Sequence, residues 1–133
     1  MTIINGKNVI VNKPIHEVYS FLIDLRHFKQ LLPEDKISDW EASSDSCSFK
    51  IQNVATIGLY LESKIENAEI KLASTEKTPF PFSLTINLFA QGDSCKVEQI
   101  CHAEVNPFLK MMVEKPLNAL FDHIADRLVI ALG

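Results

Sequence analysis

Apolar positions along the chain change their period three times, and each change predicts a new element. In 1–12, Ile3, Val9, Ile10 and Val11 are β-branched and mostly separated by polar residues, the pattern of a half-buried strand. At Lys13-Pro14 the period lengthens: proline's fixed φ suits the first turn of a helix, and Ile15, Val18, Phe21, Leu22 and Leu25 then recur at helical spacing. Asp24 is placed to cap a second short helix carrying Phe28, Leu31 and Leu32, which Pro33 disfavours continuing.

From 37 to 106 the period is two. Turn signals at Ser43-Ser44-Asp45-Ser46, Asn67, Thr78-Pro79-Phe80-Pro81 and Gln91-Gly92-Asp93-Ser94 divide this region into strands over 37–42, 47–53, 56–66, 68–76, 80–90 and 95–105. One face of these strands is apolar: Cys47, Phe49 and Ile51, then Ile57, Leu59, Leu61 and Ile65, then Ile70 and Leu72. Phe82, Leu84, Ile86 and Leu88 continue it, with Val97, Cys101, Ala103 and Val105 on the last strand. The opposite face carries Glu62, Lys64, Glu66, Lys71, Lys96 and Glu98, a mixed-sign surface suited to solvent. Asn106 as N-cap and Pro107 as first helical residue then start a long terminal helix. Its stripe runs through Leu109, Met112, Val113, Leu117, Leu120, Phe121, Ile124, Leu128 and Ala131 and must face the sheet. The fold class predicted is α+β, with a seven-stranded antiparallel sheet, two short helices between strands 1 and 2, and a long C-terminal helix.

Composition narrows the function classes. At 133 residues with 47% apolar and 23% charged positions, the chain is sized for one compact domain, 1–133, and is too apolar for a disordered one. No apolar run approaches the ~20 residues of a membrane span. Thirteen basic against seventeen acidic residues, a net charge of −4 without a basic block, argue against nucleic acid as a partner. The mixed stretch 1–12 is unlike a secretory signal, and three cysteines without zinc or redox spacing are expected to be reduced thiols, so a cytoplasmic location is expected.

The order strand, two short helices, six strands and a long helix resembles the helix-grip proteins of the START/SRPBCC superfamily. The resemblance rests on the run Asn12-Lys13-Pro14-Ile15-His16-Glu17-Val18-Tyr19-Ser20-Phe21-Leu22, on Phe28-Lys29-Gln30-Leu31-Leu32-Pro33, and on the terminal amphipathic helix. It implies a curved sheet wrapped around that helix and an apolar cavity between them, used in such proteins for lipids, sterols, plant hormones or polyketides. Some members are cyclases or dehydratases, so the fold alone does not assign a reaction.

Candidate chemistry is sparse. His16, His27, His102 and His123 form no pair at metal-binding helical spacing, and no metal or other cofactor is expected. Cys47 and Cys101 fall on the apolar face with no histidine in register, which suits small buried hydrophobes better than nucleophiles. Four polar residues do fall on that face: Asn53, Ser63, Ser74 and Gln99, the last between Val97 and Cys101. In a packed core they would bond backbone or one another; along a cavity they would orient a ligand. The apolar candidates beside them are Leu84, Ile86, Cys101, Met112, Pro116 and Leu120. Pro116 interrupts the helical ladder at Met112, next to the apolar run 108–113, which is either core, a movable entrance or a partner surface. The expected function is binding of a small apolar ligand, lipid-, sterol- or polyketide-like. A polyketide cyclase- or dehydratase-like enzyme and a protein-interaction module or homodimer remain the alternatives; the missing acid–base pair weighs against catalysis.

Overall fold

The computed structural model describes residues 2–52 and 54–132. β1 (Thr2–Asn5) and β2 (Val9–Val11) lead into α1 (Ile15–Leu22), followed by 3-10 helical turns at Leu25–Leu31 and Glu34–Lys36. Then come β3 (Ile37–Ala42), β4 (Ser46–Ile51), β5 (Ala55–Ile65), β6 (Glu69–Ser74), β7 (Phe82–Gln91), β8 (Ser94–Ala103) and α2 (Pro107–Leu132). All pairings are antiparallel, and the curved sheet runs β1-β8-β7-β6-β5-β4-β3 with β2 also on β8. The α+β class is as the pattern predicts, and the sheet curved around the terminal helix is as the resemblance implies. The described residues form eight strands, however, where seven were expected.

The extra strand comes from a break at Gly6. Asn5 pairs with Ile100 and Val9 with Val97, so the first strand carries one residue more than β8 across this stretch and bends. Gly6 donates its N–H to the Gln99 carbonyl at 3.2 Å, and a Cβ there would stand 2.9 Å from Phe121 Cβ, so only glycine lets the bend approach α2 this closely. Beyond the bend, the Lys7 N–H donates to Asp122 Oδ1 and its ammonium pairs with Asp126 Oδ1, each at 2.7 Å.

The second short helix is 3-10, not α, and Glu34–Lys36 adds a further turn of the same kind. Leu25, Phe28 and Leu31 are the buried residues, and a three-residue repeat aligns these positions on one edge. Asp24 caps it as expected, accepting the Arg26 N–H at 3.1 Å and holding the Arg26 guanidinium through bonds of 2.9 and 2.6 Å. That guanidinium holds the Asp24 carboxyl down at about 2.

A register shift between Leu61 and Ser63 corrects the pattern in β5. Leu61 faces Leu72, but Ser63 is opposite Lys71, so the residues beyond Leu61 change sides. Ser63 and Ile65, expected on the apolar face, are therefore exposed. The period of two holds in β7 and β8, where Phe82, Leu84, Ile86 and Leu88 and then Cys95, Val97, Gln99, Cys101 and Ala103 are buried. β3, by contrast, has a register shift of its own between Ser38 and Glu41, with Asp39 at a φ of 55°.

α2 begins as predicted, with Asn106 Oδ1 accepting the Leu109 N–H at 2.7 Å. It packs on β1, β2 and the turn Leu25–Leu31 through Val113, Leu117, Leu120, Phe121, Ile124, Ala125 and Leu128. The first turns are different: Phe108, Met111 and Met112 are 72%, 83% and 59% exposed. Met112, read as part of the sheet-facing stripe, instead points to solvent, because full burial on the core starts only at Val113.

Where β5 meets the 75–78 turn, a second glycine is required. Gly58 donates its N–H to Thr78 Oγ1 at 2.9 Å, and its carbonyl accepts from the Thr75 N–H at 2.9 Å and from Thr78 Oγ1 at 3.2 Å. A Cβ at Gly58 would fall 2.0 Å from Thr75 Oγ1 and 3.2 Å from Thr75 Cβ. Gly58→Ala should therefore cost about 1–3 kcal/mol, read as a lower denaturant midpoint at unchanged slope. An unchanged midpoint would contradict this packing.

Candidate functional site

Between α2 and the concave sheet lies an internal void of about 10 Å³. Its walls are wholly apolar, from Phe28 and Leu32 below, Phe49, Ile57, Leu59, Phe82 and Leu84 on the sheet, to Leu117, Leu120, Phe121 and Ile124 on α2. That space suits no more than a water-sized occupant, and a dry apolar wall gives water no partner. The side chains fill the grip of sheet on helix.

Just outside this void, an open groove of about 340 Å³ runs between Pro33, Lys36, Ile51, Gln52 and Val54 on one side and Pro116, Ala119 and Leu120 of α2 on the other. This volume is within the usual size range of small-molecule sites. Leu120 lines both groove and void and is the wall between them. Pro116 lies on the groove, where it has no N–H to donate back to the Met112 carbonyl. The groove's ionisable group is Lys36, its amide Gln52; the void has neither.

The residues singled out from the sequence do not come together in one site. Leu84 and Leu120 line the void, and Pro116 and Leu120 the groove. Ile86 and Cys101 are buried in the sheet's apolar face without lining either space. Ser74 is half-buried and its Oγ accepts the Phe82 N–H at 3.0 Å, a bond that secures the start of β7. Ser63 and Met112 are exposed, and Asn53 lies outside the described residues. Phe28 and Leu32, read from the sequence only as the apolar side of a short helix, line the void, and Lys36 and Gln52, which the sequence does not mark as site residues, line the groove. Their signal was present only as helical periodicity and a loop, neither of which says what faces what.

Gln99 lies away from the void, at the junction of β8, the Gly6 bend and α2. Its Nε2 donates to the Phe121 carbonyl at 3.0 Å, fastening the helix to the sheet, while its Oε1 is buried with no hydrogen-bond partner among the described residues. This is the geometry of a structural fastener.

The remaining chemistry is scattered. His16 is exposed, His102 half-buried on the outer register of β8, and His27 stacks on Phe21 at 4.5 Å with Nδ1 2.7 Å from the Phe21 carbonyl. Among the described residues no group of three His, Cys, Asp or Glu is placed to hold a metal ion. Burial pushes the Cys47 and Cys101 thiols up to about 12 and raises Cys95 as well, so thiolate, the reactive form, is scarce near neutrality. No helix of the described residues is long and apolar enough to cross a membrane.

A curved antiparallel sheet closed around one long helix, with α1 and 3-10 turns at its end, is a fold of the START/SRPBCC type, as the solved structures it superposes on make plain. No family model matches the sequence, and no curated protein matches it. A START superfamily protein from Mycobacterium smegmatis is similar at a TM-score of 0.70 and 14% identity, covering 98% of this chain and 96% of that one. A conserved protein from Geobacillus kaustophilus gives 0.75 at 15% identity, covering 98% and 95%. Norcoclaurine synthase from Thalictrum flavum, a point mutant in complex with a transition-state analogue, gives 0.72 at 15% identity, covering 99% and 96%. At these identities the likeness is one of fold.

Gln99→Leu tests the fastener directly. It removes one hydrogen bond, worth about 1 kcal/mol, together with a buried unpartnered carbonyl whose burial costs about as much or more. Stability in chemical denaturation should therefore change by less than about 1 kcal/mol in either direction. A loss above about 3 kcal/mol would show that Oε1 is satisfied and that the side chain is part of a larger polar network.

Proposed function

We propose that 1–133 is a cytoplasmic ligand-binding domain that takes a small, largely apolar molecule, lipid-, sterol- or polyketide-like, at the groove beside Pro116 and inward past Leu120. The observation that carries this reading is the shared wall: one leucine side chain separates an open groove of about 340 Å³ from the apolar interior. A rotation of Leu120, with a small outward shift of the preceding turns, joins the two spaces. Those turns have little to hold them, since Phe108, Met111 and Met112 are exposed and Pro116 removes one backbone bond at the junction.

Binding is favoured here over cyclase- or dehydratase-type catalysis by the lining. Proton transfer in such chemistry needs a positioned acid and base, whereas the void is walled by hydrocarbon and the groove's ionisable side chain, Lys36, is exposed and has no second acid–base group beside it in the lining. Similar solved structures include a synthase, whose activity is its own; the fold supports the site without supplying a reaction.

Titration with a neutral apolar fluorophore, 1-aminoanthracene, tests the proposal. Wild type should show saturable one-site binding. Leu120→Ala should bind more tightly and lose about 2–5 kcal/mol of stability. Ala119→Trp, at an exposed groove position, should fold normally and lose the signal. Absence of saturable binding in wild type, or full binding by Ala119→Trp, would refute the site.

A further inference from the structure

Two faces of the C-terminal half of α2 differ in charge. Asp122 and Asp126, one turn apart, face the Gly6 bend, where Lys7 satisfies both at 2.7 Å. His123 and Arg127, also one turn apart but one residue further on, sit about 100° round the helix and face away from that bend. They line a groove of about 570 Å³ together with Arg26, Lys29, Gln30, Leu32 and Glu34 of the 3-10 segment.

The charges in this groove are unevenly matched. Arg26 is held by Asp24 through two bonds, and Glu34 is the one carboxylate of the lining. Lys29 has no ion pair among the described residues, and neither has Arg127, which donates only its Nε to the Gln30 carbonyl at 3.4 Å. Arg127 and His123 are half-buried, so their donors are partly withdrawn from water yet open to the groove. In a chain of net charge −4, this gathers two uncommitted cations and an imidazole around one concavity. At its floor lies Leu32, which also walls the apolar void.

We infer that this groove receives the anionic head of an amphipathic small molecule, a carboxylate or phosphate held between Arg127 and Lys29, whose apolar tail enters the interior past Leu32. This rests on the proposed binding of an apolar ligand in the interior that both grooves adjoin, reached here past Leu32 and from the other groove past Leu120, and adds the polar half of that ligand. Arg127 supplies the forked donors that suit an oxyanion, Lys29 a mobile point charge at the rim, and His123 a third donor from the same helical face. The bond from Arg127 Nε to the Gln30 carbonyl sets the guanidinium across the groove instead of along the helix.

Calorimetric titration of decanoate and decanol, matched in chain length and kept below micelle formation, separates head from tail. Decanoate should bind about tenfold more tightly than decanol, the scale of one charge-assisted hydrogen-bonded contact, and the advantage should shrink with added salt. Arg127→Gln should erase most of that advantage and leave decanol unchanged. Lys29→Gln, at an exposed position that does not threaten folding, should reduce it, and Lys50→Gln on β4 should not. Decanol binding with no gain for decanoate would overturn the anionic head while leaving the apolar site standing. Binding of neither ligand by folded protein would overturn both. Inorganic phosphate binding lost in Arg127→Gln, without tighter binding of decanoate, would mark a free-anion site and also overturn the amphipathic ligand.

Discussion

A curved antiparallel sheet has one concave apolar face, and this chain has a single long helix with which to cover it. The remaining features follow from how completely α2 does so. From Val113 to Leu128 the cover is close: Leu117, Leu120, Phe121, Ile124 and Leu128 are almost wholly buried, and the space left beneath them is about 10 Å³. The Gly6 bend and the Gln99 amide exist at this contact, one letting β1 and β2 approach the helix and the other tying the Phe121 carbonyl to β8. Without that approach the locked half of the helix would lose its seat.

The first turns of the same helix are left largely uncovered by the described residues. Phe108, Met111 and Met112 face solvent, and Pro116 stands where the two regimes meet. A proline there costs a backbone bond that a uniformly packed helix would keep, and its place on a groove gives the loss a use. The helix is thus divided into an anchored segment and a loosely held one, and Leu120, just inside the anchored part, is the wall between outside and inside. Leu32 plays the same part from the 3-10 segment. The two grooves therefore converge on one interior from different sides, one with Lys36 as its charged group and the other with several basic side chains.

Much of this is legible in the sequence. A period of two placed Leu84, Ile86, Gln99 and Cys101 on one face, and Asn106-Pro107 marked the start of α2, because these signals depend on one residue's neighbours in the chain. What the periodicity hid was non-local. The bulge after Leu61 reverses the faces of Ser63 and Ile65 without a breaker residue to announce it, and the split at Gly6 follows from the nearness of Phe121. The size of the void is decided by side-chain packing, and the separate faces of Asp122–Asp126 and His123–Arg127 acquire meaning only once Lys7 and the 3-10 turn are in place. For the same reason the sequence offered Met112 as a cavity residue while Lys36 and Gln52 went unnoticed.

In the binding mode proposed above, α2 is locked on the sheet beyond Pro116 and opens before it. Amide hydrogen exchange resolved along the helix measures this most directly. Residues 109–115 should exchange much faster than 118–130 in the free protein, and saturating 1-aminoanthracene should slow the first segment while leaving the second almost unchanged. Equal protection of both segments, unaltered by the probe, would contradict it and leave Pro116 as a fixed feature of a closed core.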